Sequence, residues 1–322
     1  MRVKFWGTHG SIPSPLRQEA IRTKLRAVLF KANGVDLSSD EAIDNFIDRE
    51  LEFHELGTFG GDTSCVQLDP GGDTFFLCDA GSGLRVFGNS IFAKYGPAKP
   101  KTYHFFMSHL HWDHIMGFPF FVPAYLPGNK IVIHSCHAEV EKAFRIQNSA
   151  PCFPVPFESL GADISFKVHS PDTPFEVEDF KVKTIPQSHG GGSYGYRFEN
   201  SGKTIVYSTD SEHKKDSLKA DYPFIEFFHN ADLLIFDAQY SLVEAILLKQ
   251  DWGHSSNLIG VELAQRAHVK KLCMFHHEPN LDDQRLAKIL KDTVRYEKLV
   301  CEGDDDQHVE VITAYDGLQI DL

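Results

Sequence analysis

Short runs of alternating apolar and polar residues dominate the chain, interrupted by stretches whose apolar residues recur every three or four positions. Alternation places successive side chains on opposite faces and predicts strands; the longer period predicts amphipathic helices. Val3-Lys4-Phe5-Trp6 alternates and runs into Gly7-Thr8-His9-Gly10-Ser11, a strand that ends in a glycine turn. From about 15 to 58 the texture changes. Ala20, Ile21, Leu25, Val28 and Leu29 lie at helical spacing, and Asn33-Gly34 stops that helix. Ser38, followed three residues later by Glu41, reads as a capping box opening a second helix with the apolar face Ile43, Phe46, Ile47 and Leu51. The segment 15–58 is thus an inserted N-terminal helical hairpin, to serve as a packing appendage, a lid or a dimer arm.

Further on, strands are expected at 65–68, 74–78, 103–107, 130–134, 180–185, 194–198, 204–208, 233–236 and 271–275. Helices are expected from about 138 and over 256–267, and 309–313 with 318–322 reads as a final pair of strands. Residues 302–306 read as a short acidic surface loop. Helices scattered among many strands point to an α/β protein, an αββα sandwich or a related layered fold, formed as a single domain over 1–322.

Composition narrows the function. With 42% hydrophobic and 24% charged residues in 322, the chain has ample material for a core. A net charge of −13 repels phosphate backbones at long range, so extended nucleic acid is a poor substrate, whereas bound cations can still draw in a small phosphodiester or ester. The six cysteines are scattered without CxxC spacing and read as reduced, mostly buried thiols. The opening residues lack the pattern of a signal peptide, and no window approaches ~20 apolar residues, so the expectation is a cytoplasmic protein with no membrane partner.

The chemistry concentrates in His109-Leu110-His111-Trp112-Asp113-His114, directly after the strand at 103–107. Imidazoles and carboxylates at this density suit borderline divalent ions, zinc above all, with manganese and iron as alternatives. Alternation lets His109 and His111 address one ion, while Asp113 and His114 turn to a second. One such cluster holds too few ligands for two metals. His189, Asp210 and His276 each follow a predicted strand and complete the set, with Asp210 placed to bridge; His277 competes with His276, which is preferred. Asp79, at the end of 74–78, reads as a partner that orients the histidine loop. His254-Ser255-Ser256 precedes a helix, whose capped N-terminus offers free N–H groups to an anion. The aromatic stretch 118–125 reads either as a wall of the substrate pocket or as core.

Taken together, these motifs resemble the metallo-β-lactamase superfamily, whose hallmark is HxHxDH with a later His, a bridging Asp and a final His. More narrowly the chain resembles the branch of ribonuclease Z and cyclic phosphodiesterases. The supporting stretches are Phe5-Trp6-Gly7-Thr8-His9-Gly10-Ser11-Ile12-Pro13, Gly60-Gly61-Asp62-Thr63-Ser64-Cys65, Asp79-Ala80-Gly81-Ser82-Gly83, Tyr194-Gly195-Tyr196-Arg197 and Trp252-Gly253-His254-Ser255-Ser256. The resemblance covers nearly all of the chain except the hairpin at 15–58. It implies a metallo-β-lactamase-like sandwich, one metal site of His109, His111 and His189, a second of Asp113, His114 and His276, and Asp210 with a hydroxide bridging them. It further implies that His254 acts as a general acid or stabilises the transition state. Two departures bear on substrate contacts: His9 replaces a basic residue, and Asp62 replaces the usual Asn. The basic arm with which ribonuclease Z grips transfer RNA is not seen either.

The function expected is therefore a dinuclear-metal hydrolase, first of all a phosphodiesterase cleaving a small or cyclic phosphodiester, with Asp113 and His254 as catalytic residues. The alternative is an acyl hydrolase, a lactonase or thioesterase, on the same metals, because one ion pair polarises carbonyl and phosphoryl oxygens alike. A flavodiiron-like redox protein is disfavoured by His111, where that class has a carboxylate, and by the lack of a flavodoxin domain. A metal-bound module without turnover is disfavoured by the full ligand set. A homodimer through the hairpin is the oligomer considered.

Overall fold

A computed structural model of the chain describes residues 1–97, 99–171, 173–241, 249–301 and 308–322. The acidic loop expected at 302–306 lies outside the described residues. In the first half, β1 (Arg2–Gly7) is followed by α1 (Gln18–Lys31), α2 (Asp40–Glu50) and the short α3 (Phe53–Leu56). Then come β2 (Cys65–Asp69), β3 (Thr74–Cys78), α4 (Gly83–Tyr95), β4 (Thr102–Met107), α5 (Trp112–Ile115), β5 (Lys130–Ser135), α6 (Val140–Gln147) and β6 (Asp163–Val168). The second half carries β7 (Phe175–Val177), β8 (Phe180–Gln187), β9 (Ser193–Asn200), β10 (Lys203–Ser208), α7 (Pro223–Phe228), β11 (Leu233–Asp237), α8 (Asn257–Arg266), β12 (Lys271–Phe275), α9 (Asp283–Val300), β13 (Glu310–Thr313) and β14 (Gln319–Asp321).

The strands form two seven-stranded sheets, ordered β14-β1-β2-β3-β4-β5-β6 and β13-β12-β11-β10-β9-β8-β7. Alternation decides which side chains meet between them. Val3, Phe5, Val66, Leu68 and Phe106 from the first sheet pack against Val182, Tyr196, Phe198, Ile205 and Phe275 from the second. The opposite faces are apolar as well. Leu77, Tyr103, Phe105 and Ile131 pack under Phe87 of α4, and Val206, Leu234, Phe236 and Leu272 pack under α7 and α8. Two sheets buried on both faces must be covered by helices on both sides, which makes the αββα sandwich.

Several local expectations need correction. Helix α2 is capped by Ser39, not Ser38. Ser39 is extended and its hydroxyl accepts from the N–H of Ala42, whereas the Ser38 N–H is held by Asp36 at 3.0 Å. The reciprocal capping box belongs instead to α3, between Glu52 and Glu55. The last two strands do not pair with each other. β13 runs parallel to β12 in one sheet and β14 runs antiparallel to β1 in the other, because the connection between them crosses the sandwich. Helices α4 and α9 and strand β6 were not anticipated from the pattern.

The inserted helices sit on the body through few ties. Lys24 of α1 pairs with Asp283 at the start of α9 (2.7 Å) and bonds to the carbonyls of His54 and Gly57. Lys31 pairs with Glu55 at 2.6 Å. No residue of α1 is buried, and Phe46 is the one buried residue of α2. No helix among the described residues is long and apolar enough to cross a membrane.

Candidate metal centre

Strands β10, β11 and β12 are mutually parallel, and β8 runs the same way because β9 is antiparallel to both β8 and β10. Their C-terminal ends therefore open on one edge of the sandwich, where ligands gather in sheets of this kind. His189 lies two residues past β8, Asp210 two past β10, and His276 directly past β12. Asp210 and His276 take positive φ (54° and 62°), so the chain turns sharply as it leaves each strand. From the first sheet, β4 delivers Ser108 to His111, and α5 then presents Asp113 and His114.

Asp79, with φ of 59° at the end of β3, pins this loop. Its Oδ1 accepts the Ser108 N–H (2.7 Å). Its Oδ2 accepts the hydroxyls of Ser108 (2.6 Å) and Tyr207 (2.8 Å) and lies 2.7 Å from His114 Nδ1. The opposite nitrogen of His114, Nε2, faces Asp113 Oδ2 (3.2 Å), Asp210 Oδ2 (3.3 Å) and His276 Nε2 (3.3 Å). On the other side, His111 Nδ1 and His189 Nε2 are 3.1 Å apart, and Asp210 Oδ1 lies 3.8 Å from the Nε2 atoms of both His109 and His189. The two oxygens of Asp210 thus look toward different clusters.

These donors fit cations. His109, His111 and His189 form one group whose ligand atoms lie within 4.8 Å of one another, and Asp113, His114 and His276 form a second. His109 Nε2 is buried without a hydrogen-bond partner, and the facing Nε2 atoms of His114 and His276 can share only one proton. Nitrogen and carboxylate lone pairs outnumber the protons available to them, as in sites built for divalent ions. Burial works against an ionised Asp113, yet His114 and His276 hold its carboxyl well below the usual range. Asp210 is likewise depressed against its burial by His276, His114 and His109.

The candidate ligands His109, His111, Asp113, His114, His189, Asp210 and His276 lie together at this edge, with His254 beside them. His254 lines the open pocket of about 500 Å³ together with Ser11, His111, Asp113, His189 and His276. Its ring stacks on that of His276, centroids 5.1 Å apart. His254 Nδ1 is 2.9 Å from Asp237 Oδ2 and 3.8 Å from Asp210 Oδ1. Burial disfavours the charged ring, but Asp237, then Asp210 and Asp113, outweigh it and raise its pKa to about 9. Of the two adjacent histidines, His276 faces the cluster, while His277 Nε2 donates to the Ala314 carbonyl at 2.8 Å and packs against His9. Phe118 and Phe121 of the aromatic stretch are fully buried in the core beneath α4 and do not line the pocket.

Three contributors escaped the sequence reading. Asp237 ends β11 as Asp210 follows β10, so the strand-end signal could have found it. The Ser11 N–H donates to Asp113 Oδ2 at 2.7 Å, and the Gly253 carbonyl lies 3.0 Å from His189 Nδ1. These are backbone contacts, made by glycine-bearing loops that approach the ligands closely. A Cβ on Gly10 would meet the His276 ring at 2.4 Å, and one on Gly253 would meet His189 Nδ1 at 2.3 Å.

The fold has counterparts among known proteins. The β-lactamase superfamily domain matches residues 74–277. A ribonuclease Z from Oceanobacillus iheyensis is 22% identical over 240 residues, covering 58% of this chain and 74% of its own. A ribonuclease Z from Staphylococcus carnosus is 30% identical over 155 residues, covering 44% of this chain and 46% of its own. Among solved structures, a metallo-β-lactamase fold protein from Bacillus subtilis superposes with a TM-score of 0.62 at 18% identity, covering 99% of this chain and 98% of the other. The short form of human tRNase Z superposes with 0.56 at 18%, covering 100% and 99%. The chain belongs to the β-lactamase superfamily domain family and is a metal-dependent hydrolase on the metallo-β-lactamase fold.

Proposed function

We propose that this member of the superfamily is a dinuclear-metal phosphodiesterase acting on a small or cyclic phosphodiester. The observation that carries the reading is the pairing of His254 with Asp237 beside Asp210 (2.9 and 3.8 Å), a second imidazole–carboxylate unit at the edge of the metal cluster. An acyl hydrolase needs the ion pair but has less use for a further proton donor at that edge.

In this reading His109, His111 and His189 would hold one divalent ion and Asp113, His114 and His276 the other, with Asp210 facing both groups. Two such ions would supply charge neutralisation at the phosphoryl oxygens and acidification of water. Zinc is the first candidate, with manganese and iron next. The remaining tasks fall to the protein. Asp113, oriented by the Ser11 N–H, directs the attacking water and accepts its hydrogen bond. Asp237 occupies His254 Nδ1 and so fixes the ring orientation, leaving Nε2 to give a proton to the departing oxygen. Asp79 keeps the ring of His114 in place through Nδ1. The net charge of −13 favours a small substrate over transfer RNA, even though the relatives include ribonuclease Z.

The test is hydrolysis of bis(p-nitrophenyl) phosphate beside a matched nitrophenyl ester and a lactone, with metal content measured on the same sample. Phosphodiester turnover that falls about 10²–10⁴-fold in His254→Ala while metal is retained is the expected result. Turnover of ester or lactone alone, indifferent to His254, assigns the protein to the acyl hydrolases instead.

A further inference from the structure

Helices α1 and α2 leave apolar side chains in solvent, which single-chain folding does not account for. On α1, Ile21, Leu25 and Leu29 follow one another at i, i+4 and i+8 and are 47%, 57% and 69% exposed. On α2, Ile43 and Ile47 repeat the spacing and are 39% and 37% exposed. Contiguous apolar stripes of this kind on a soluble protein mark an interaction surface. Their flanks say what covers them. On α1 each of the first two apolar residues is followed by a cation, Ile21-Arg22 and Leu25-Arg26; on α2 each is followed by an anion, Ile43-Asp44 and Ile47-Asp48. Among the described residues none of these four charges has an ion-pair partner, whereas Lys24 and Lys31 of α1 are already engaged with Asp283 and Glu55.

We infer that the inserted helices form a homodimer interface in which α1 of one copy packs against α2 of a second copy. Both helices carry their charges one residue after the apolar position, about 100° round the axis in the same sense. Two right-handed helices packed face to face bring such flanks together when they run antiparallel, and apart when they run parallel. A two-fold axis makes each contact twice, so basic α1 meets acidic α2 on both sides. Opposite charges flanking an apolar seam set partner choice and orientation in just this manner. Among the described residues nothing of the same chain covers either stripe.

The full-length protein is tested by sedimentation or light scattering from about 1 to 100 µM, with circular dichroism to verify that each variant is folded. The wild type is expected to be a dimer. Arg22→Glu/Arg26→Glu makes both helices acidic, and Asp44→Lys/Asp48→Lys makes both basic; each variant alone is expected to dissociate at least tenfold more readily. Mixed in equal amounts, the two variants place an acidic α1 on a basic α2 at one contact and the reverse at the other, so a mixed dimer should recover. A monomeric wild type overturns the inference. A dimer insensitive to both variants, or a mixture that stays monomeric, overturns the α1–α2 pairing. Metal content read in parallel keeps a failure of the catalytic reading distinct, since none of these residues approaches the metal cluster.

Discussion

Asp79 and His114 are joined at 2.7 Å, both fully buried, and the aspartate holds the ring from the side opposite Asp113, Asp210 and His276. Because Asp79 sits at φ of 59°, Asn fits the backbone where most residues would strain it. Asp79→Asn is therefore expected to fold, with the Ser108 and Tyr207 hydrogen bonds weakened. Metal affinity should fall about 10–100-fold. Metal titration of the stripped variant checks this, and an affinity equal to wild type would show that the contact is only packing.

The adjacent histidines should separate cleanly. His276→Ala removes a group facing Asp113, Asp210 and His114, and is expected to lower bound metal by about one equivalent. His277→Ala leaves the Ala314 carbonyl without its donor and should cost about 1–3 kcal/mol of stability while metal content stays unchanged. Elemental analysis and urea unfolding on both variants distinguish them. The reverse pattern would reassign the ligand.

Chelation is expected to lower the melting temperature. Metal that binds the fold and not the unfolded chain stabilises it by about 2.7 kcal/mol when free ion is at 100 times its Kd. Calorimetry with and without a chelator, followed by repletion with zinc, measures the difference. An identical melting temperature in metal-free and metal-loaded protein would contradict the two-ion site.

Acid should destabilise the sandwich through histidines outside the candidate metal centre. His104 on β4, His134 on β5 and His169 just past β6 form a stacked row across the first sheet, with nitrogens 3.0 and 2.9 Å apart. Burial lowers the pKa of His104 to about 4 and of His134 to about 2, from 6.5. The unfolded chain binds these protons near pH 6.5 and the fold refuses them, so stability is fully present above about 6.5 and is lost as pH falls toward 4. The slope is ~1.4 kcal/mol per pH unit for each imidazole. His104→Phe should flatten the urea-unfolding profile between pH 7.5 and 5 by about one proton. An unchanged slope would place the acid sensitivity elsewhere.

Much of the architecture was legible along the chain because it is set by neighbours a few residues apart. Alternating Val3 and Phe5, the continuous apolar runs of β10, β11 and β12, and the helix opened by Ser256 all follow from local periodicity and capping. The candidate ligands were visible for the same reason: polar residues ending apolar strands have nowhere to go but the sheet edge. That His109, His111, Asp113, His114, His189, Asp210 and His276 gather there required strands of both sheets to end side by side, which no local pattern encodes. Asp237 gained its meaning only from His254, 17 residues away. The last two segments read as a final pair of strands, and only the packing of two apolar sheets sent β13 and β14 to opposite layers. The aromatic residues at 118–125 could wall a pocket or fill a core; Phe118 and Phe121 went inward because α4 lies over them. Periodicity along the chain sets which face of an element is apolar, whereas the partner that covers that face is chosen by contacts distant in sequence.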